Sequence, residues 1–318
     1  MLHTGLLLFQ ERIDAVMGRR SLPRDDPSPA HTRALGRHHD DYLESDPVHR
    51  QRHYDRTREP SANLAYYRDL RDRLVSAGIP VVDASVDLDD FEDWLDRYAV
   101  LGRFYRRFGE MRIEKCLEHY IVARELRLRR GDTYVDVASA GSPWARVLRY
   151  RGVEAYRLDL IYRQGIHGIN IGGDATATDL PAGFASAVSI QCAFELFFGE
   201  TDRKFLAETA RILAPGGRAV ITPLYLDDAH FVLHSPHALP PPGSEEPGAV
   251  RIWRDDEFRA PYSRHYSPEA FAERIASQLP PGLSGRVAYA SNLGEVMAAF
   301  PGQRIYSFFT FVLEKAPA

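Results

Sequence analysis

Thr133-Tyr134-Val135-Asp136-Val137-Ala138-Ser139-Ala140-Gly141-Ser142-Pro143, residues 133–143, is the stretch that decides the fold. β-Branched and aromatic residues give way to small residues and then to a proline. The first six read as a buried strand. The small residues after Asp136 let the backbone come close to a ligand. Pro143 then starts a helix whose free amides face the same point. A strand, a tight loop and a helix N-terminus make a nucleotide-binding corner at the carboxyl end of a strand. An ordinary tight turn between strand and helix carries the same residue types.

The rhythm continues downstream. Strands are expected at Val153 to Leu160, within Gly168 to Asp174, at Ala185 to Gln191 and at Arg218 to Thr222. Helices are expected at Pro143 to Arg149 and at Thr201 to Leu213, the latter with Phe205, Leu206, Ala210 and Leu213 on one face. Strands alternating with helices predict right-handed crossovers and a parallel sheet. Residues 226–265 break this pattern: they contain Pro240-Pro241-Pro242-Gly243 and show no period. Ser267-Pro268-Glu269 then opens another helix by its capping residues. Arg286 to Ala290 and Tyr306 to Leu313 read as the last two strands.

Upstream the texture differs. Residues 21–60 are polar, proline-broken and poor in large apolar side chains, as in a loosely ordered arm. From Ala62 onward, Leu64, Tyr67, Leu70, Leu74 and Val75 recur at helical spacing, with Gly78 as a C-terminal cap. Ile79-Pro80-Val81-Val82 is a short extended piece. Phe91, Trp94, Leu95 and Tyr98, then Phe104, Tyr105, Phe108 and Met111, then Cys116, Leu117, Tyr120, Ile121 and Leu126 mark further helices. Their aromatic stripe reads as core rather than as a ligand box. The expected organisation is a mostly helical cap or arm over residues 1–112, a Rossmann-like domain over 113–318, and an insert at about 226–265.

The corner gains chemistry from acids at successive strand ends. Asp159, about 20 residues beyond the loop, can accept hydrogen bonds from both hydroxyls of a ribose. Asp174 can accept from an adenine amino group. Gly-x-Gly-x-x-Gly, whose glycines admit a pyrophosphate, is absent, which argues against a dinucleotide.

Residues 134–222 resemble the class I S-adenosylmethionine (SAM) dependent methyltransferase family. The matching pieces are Val135-Asp136-Val137-Ala138-Ser139-Ala140-Gly141, Leu158-Asp159-Leu160, Gly173-Asp174-Ala175 with Leu180-Pro181, and Arg211-Ile212-Leu213-Ala214-Pro215-Gly216-Gly217-Arg218. The last of these, before a buried strand, is the most specific. The loop departs from the family's Asp/Glu-x-Gly-x-Gly-x-Gly, with Ala138 and Ala140 present and Gly141 its only glycine; alanine substitutes for glycine where φ is negative. The resemblance implies a doubly wound, mostly parallel α/β sheet of seven strands with an antiparallel last strand, and SAM as cofactor. It also implies that Asp136 borders the methionine end of SAM, with Ala138, Ser139, Ala140 and Gly141 against its backbone. Asp159 would hold the ribose, and Asp174 and Ala175 the adenine. Gln191, Cys192 and Phe194 would line the face towards an acceptor.

The expected activity is methyl transfer to a small-molecule oxygen or nitrogen. Amine and amide methylators of this family often carry Asp/Asn-Pro-Pro-Tyr/Phe where this chain has Gln191-Cys192-Ala193-Phe194-Glu195. Base candidates are Glu195, His230 and His265. Another SAM-type transfer (aminopropyl) and a catalytically silent partner subunit of the same fold are the alternatives.

The chain has 318 residues, 44% of them hydrophobic, enough for one to two domains. A net charge of -4 gives no electrostatic case for nucleic acid or a membrane surface. Two distant cysteines give no zinc spacing, and no metal is expected from them or from His230, His234 and His237. The apolar run Leu6-Leu7-Leu8-Phe9 is too short for a span and lacks the features of a signal peptide, so a cytoplasmic setting is expected. Positive charge is nearly all arginine; the lysines are Lys115, Lys204 and Lys315.

Overall fold

A computed structural model describes residues 29–51, 56–139, 141–255 and 260–318. Ala140, the run Leu6-Leu7-Leu8-Phe9 and the start of the polar stretch lie outside the described residues.

The centre is a sheet built around β2 (Thr133–Val137). On one side of β2 lie β3 (Glu154–His167) and β4 (Asn170–Gly172), each parallel to its neighbour. On the other side lie β5 (Ala185–Gln191) and β6 (Leu213–Thr222), also parallel. The chain leaves β2 towards one edge and later returns to its other flank. The crevice at the carboxyl ends of β2 and β5 is therefore the topological switch point, where open α/β sheets bind ligands. Beyond β6 come β11 (Phe309–Lys315), antiparallel to both its neighbours, and β10 (Leu283–Ala290). The antiparallel last strand is as expected.

Among the described residues the sheet has eight strands rather than seven. The extended piece after Gly78 forms β1 (Val81–Ala84), an edge strand parallel to β10 with Val81 opposite Val287. Four half-exposed residues carry no pattern of their own, so only the pairing reveals them as part of the sheet. The expected helices at Leu64–Ser76 and Leu88–Arg97 are present, the second capped by the Asp87 side chain. The helical segment around Phe108 is a 3-10 turn kinked at Gly109 (φ 58°), and the long helix Arg112–Leu126 follows it. That helix packs on β5 and β6. Phe91, Trp94 and Tyr120 are buried against one another and against Trp144, as a core stripe should be. Each large side chain so buried contributes about 1.5–3 kcal/mol.

Two segments gain structure that the sequence did not suggest. Pro29–Glu44 is a helix rather than a loose arm. Its apolar contacts lie elsewhere in the chain: the His38 and Tyr42 rings meet Trp253 at 4.8 and 6.0 Å. The insert holds a second sheet, in the order β8 (Val250–Trp253), β7 (Phe231–His234), β9 (Ser263–His265). β7 is buried at every position, so it shows no alternation to read.

The insert is fastened by charge. The side chain of Arg264 is fully buried; it donates to Asp202 Oδ2 at 2.5 Å, to Gly199 O and to the Glu246 carboxylate. Arg274 adds a bond to Asp202 Oδ2 at 2.7 Å. Burial alone would raise the Glu246 carboxyl; His230, then Arg264 and Arg274, outweigh it and hold the group down at about 2.

Candidate functional site

The carboxyl ends of β2 and β4, and the middle of β3 just past Leu158 where its pairing with β2 stops, open into a cavity of about 280 Å3; β3 itself runs on to His167 rather than ending near Leu160. Ala138, Asp159, Asp174 and Ala175 all line it. Asp159 is 5% exposed, and its Oδ1 accepts from Ile161 N at 3.2 Å. Asp174 Oδ1 accepts from Thr176 N at 2.8 Å, which fixes the carboxylate at the start of the loop. Tyr262 and Pro241, from the insert, lie on the other side of the cavity. Gly172 is required here for packing: a Cβ on it would lie 2.0 Å from Arg163 O, where β3 runs back past β4.

The loop after β2 takes an unexpected conformation. Ala138 sits at φ 53°, in the left-handed region. Alanine was admissible there only on the premise of negative φ, so the premise fails at this position. The strain, about 1–2 kcal/mol for an L-residue, is held by the continued ladder, in which Ala138 N donates to Leu158 O at 2.8 Å. Ser139 and Gly141 are half-buried and do not line the cavity.

Asp136 and Gln191 meet beside this cavity rather than in its lining. Asp136 Oδ1 accepts from Tyr134 OH at 3.3 Å and from Gln191 Nε2 at 3.5 Å. Asp136 Oδ2 and Gln191 Oε1 are buried without a hydrogen-bond partner. Burial pushes the Asp136 carboxyl up to about 7. Two orphaned acceptor oxygens in one place suit a ligand that brings N–H donors.

A second cavity, about 220 Å3, lies across the end of β5. Cys192 and Glu195 face it, Ala193 faces the first cavity, and Leu196 lines both. The β5 end is thus a shared wall. Lys115, Tyr225, Arg304 and Tyr306 also line the second cavity, together with residues of the N-terminal region and of the insert. Lys115 Nζ lies 2.6 Å from Glu118 Oε1, 2.9 Å from Cys192 Sγ and 3.3 Å from Tyr306 OH. Lys115 is held well above its usual range: burial opposes its charge, but the Glu118 carboxylate beside it outweighs that. Burial raises the Cys192 thiol and the Tyr225 and Tyr306 phenols, so each keeps its proton. Glu114, pushed by burial up to about 7, receives Tyr306 N at 3.0 Å and Ser307 Oγ at 2.5 Å and so fixes the tyrosine.

Of the base candidates, Glu195 and His265 come together at the second cavity, with the His265 ring stacked on Phe231 at 4.5 Å. His230 lines neither cavity. Its Nδ1 lies 2.9 Å from His265 O and its ring stacks on Tyr266, which makes it part of the fastening of the insert. His234 and His237 turn towards His38 and His39 of the N-terminal helix. Among the described residues no group of three or more His, Cys, Asp or Glu is arranged to hold a metal ion, and no helix is long and apolar enough to cross a membrane.

Lys115, Tyr225, Arg304 and Tyr306 were not singled out from the sequence. One faint signal existed: Lys115 is among three lysines in a chain with 40 basic residues. The two tyrosines and Arg304 carried none.

No family model and no curated protein matches the chain. Solved structures do. One is the Burkholderia thailandensis 1,6-didemethyltoxoflavin-N1-methyltransferase with bound 1,6-didemethyltoxoflavin and S-adenosylhomocysteine, at 12% identity and TM-score 0.42, covering 74% of this chain and 94% of that one. Another is an S-adenosylmethionine dependent methyltransferase from Mesorhizobium loti, at 14% identity and TM-score 0.41, covering 62% and 97%. A third is from Methanosarcina mazei, at 12% identity and TM-score 0.37, covering 62% and 98%. The likeness is one of fold. Strand order, parallel pairing from β4 through β6 and the antiparallel β11 give this chain a doubly wound, Rossmann-like α/β fold.

Proposed function

We propose that this chain is a SAM-dependent methyltransferase acting on a small-molecule oxygen or nitrogen. The observation that carries the reading is the pair of cavities divided by the end of β5. One is lined by the acids Asp159 and Asp174, the other by Glu195 and His265.

The residues present fit SAM. Asp159 offers a carboxylate to the ribose hydroxyls and Asp174 one to the adenine amino group. The orphaned oxygens of Asp136 and Gln191 suit the ammonium of the amino-acid end. SAM carries no phosphate, so a corner poor in glycine suffices. When bound, SAM supplies a methyl group already activated on a sulfonium. What remains for the protein is alignment of acceptor and methyl carbon, together with exclusion of water. In this reading the insert and the N-terminal region enclose the acceptor. Lys115, Cys192, Tyr225 and Tyr306 hold their protons and act as donors, so Glu195 and His265 are the groups that take a proton from a neutral acceptor.

Binding of S-adenosylhomocysteine should raise the melting temperature, and labelled SAM should yield S-adenosylhomocysteine rather than methylthioadenosine. No shift at millimolar ligand would sink the reading; methylthioadenosine as product would mean aminopropyl transfer instead. A catalytically silent partner subunit is the second reading, favoured by the strained Ala138 where the family has glycine. It predicts that Asp159→Ala leaves ligand affinity unchanged.

A further inference from the structure

The second cavity has strong hydrogen-bond donors that are met by sulfur. Arg304 Nη2 donates to Met111 Sδ at 3.0 Å. Arg304 Nε is shielded from solvent without a hydrogen-bond partner, and Glu110 Oε1 stands 3.7 Å away. The Tyr306 hydroxyl, beside the Lys115 ammonium, reaches Met111 Sδ at 4.0 Å. The Tyr225 hydroxyl reaches Cys192 Sγ at 3.8 Å. Thioether and thiol sulfur are weak acceptors, and bonds to an ionised oxygen are roughly twice as strong as neutral ones. The Tyr225 and Tyr306 rings are inclined by 29° with centroids 6.3 Å apart, and Phe108, Leu196 and Leu233 add apolar wall.

We infer that the ligand of this cavity carries an oxyanion, a carboxylate or an acidic phenol, on a flat apolar body, and that Arg304, Tyr306 and Tyr225 hold the oxyanion. The inference rests on the reading above in one respect: there, this ligand is the methyl acceptor. Lys115, neutralised by Glu118, polarises the Tyr306 hydroxyl rather than meeting the ligand alone. An acceptor that arrives as its anion has already lost its proton, so transfer to its oxygen needs no base.

The test is ligand-observed NMR with matched aromatic pairs: hydroxybenzoic, naphthoic and indole-carboxylic acids, each against its primary amide. Titrations are run on the chain alone and with S-adenosylhomocysteine added. At least one acid should bind ten-fold tighter than its amide. Arg304→Gln should reduce that preference to two-fold or less, and Tyr306→Phe should reduce it in part. Neither should shift S-adenosylhomocysteine affinity. Equal binding of acids and amides would overturn the inference. So would failure of every acid to bind, or a preference that survives both substitutions. Acid binding without S-adenosylhomocysteine binding would leave the inference standing and remove the methyltransferase reading; the converse pattern would do the opposite.

Discussion

The two cavities meet at one wall and are made in opposite ways. The first is assembled along one edge of the parallel strands, from the loop after β2, the middle of β3, the loop after β4 and the segment after β5, and is closed by the insert. The second is assembled from five places spread from Gln51 to Tyr306. One is a product of the sheet, the other of tertiary packing around it. A site of the first kind is carried by local pattern, because every strand of a parallel sheet ends at the same edge. A site of the second kind exists only when distant segments dock, so its chemistry can vary while the fold stays fixed.

This contrast can be broken most severely at the fastening of the insert. Arg264→Met leaves Asp202 and Glu246 buried with one cation fewer. Loss of one partner from such a network typically costs about 3–5 kcal/mol. Chemical denaturation should show a loss of that size. If the insert detaches first, acceptor binding should vanish before S-adenosylhomocysteine binding. A variant as stable as the wild type would mean the insert is held some other way.

The next largest effect belongs to the first cavity alone. If the proposed SAM reading holds, Asp159→Ala removes the acceptor of two ribose hydroxyls. At about 1.5 kcal/mol or more for each charge-assisted bond, affinity for S-adenosylhomocysteine should fall on the order of 100-fold. Thermal stability of the free chain should move little by comparison. Unchanged affinity in a calorimetric titration would favour the silent-subunit reading.

A third effect follows pH. The Asp136 carboxyl, raised to about 7, binds its proton more tightly folded than unfolded. Its contribution therefore favours the folded free chain at low pH and is lost as pH rises from about 4, the unfolded carboxylate range, to about 7. Glu114, also raised to about 7, acts in the same direction. A ligand ammonium reverses the preference of Asp136, so SAM affinity should rise with pH by up to about ten-fold per unit below 7 and level off above it. Asp136→Asn should flatten that profile. A wild-type profile that is flat from pH 5.5 to 8 would remove Asp136 from the ligand.

The smallest effect tests the loop. Ala138→Gly relieves the left-handed strain and should stabilise the chain by about 1 kcal/mol, read from the denaturation midpoint. A loss of stability would show that the alanine methyl packs usefully despite its φ of 53°.

How far the sequence could be read follows the same division. β2, β5 and the helix at Thr201–Ile212 were legible because their periods are local. Asp159, Asp174 and Ala175 were legible as neighbours and do line one cavity, although Asp159 stands within β3, which runs on to His167, and only Asp174 and Ala175 follow a strand end. β1 was seen as an extended piece but not as sheet, since its pairing partner β10 lies some 200 residues away. β7 was missed because four consecutive buried residues show no alternation. His230 read as a base candidate because a histidine near an insert looks the same whether it faces a cavity or, as here, stacks on Tyr266. Tyr225, Arg304 and Tyr306 had no motif at all. Their meaning comes from neighbours such as Lys115 and Met111, far off in the chain.

The most direct test is diffraction from crystals grown with S-adenosylhomocysteine. The account predicts the ribose hydroxyls on the Asp159 carboxylate, the adenine amino group by Asp174, and the ammonium at Asp136 and Gln191. The sulfur should face the wall formed by Cys192 and Leu196. Density for the ligand anywhere else, or none at saturating concentration, would contradict it.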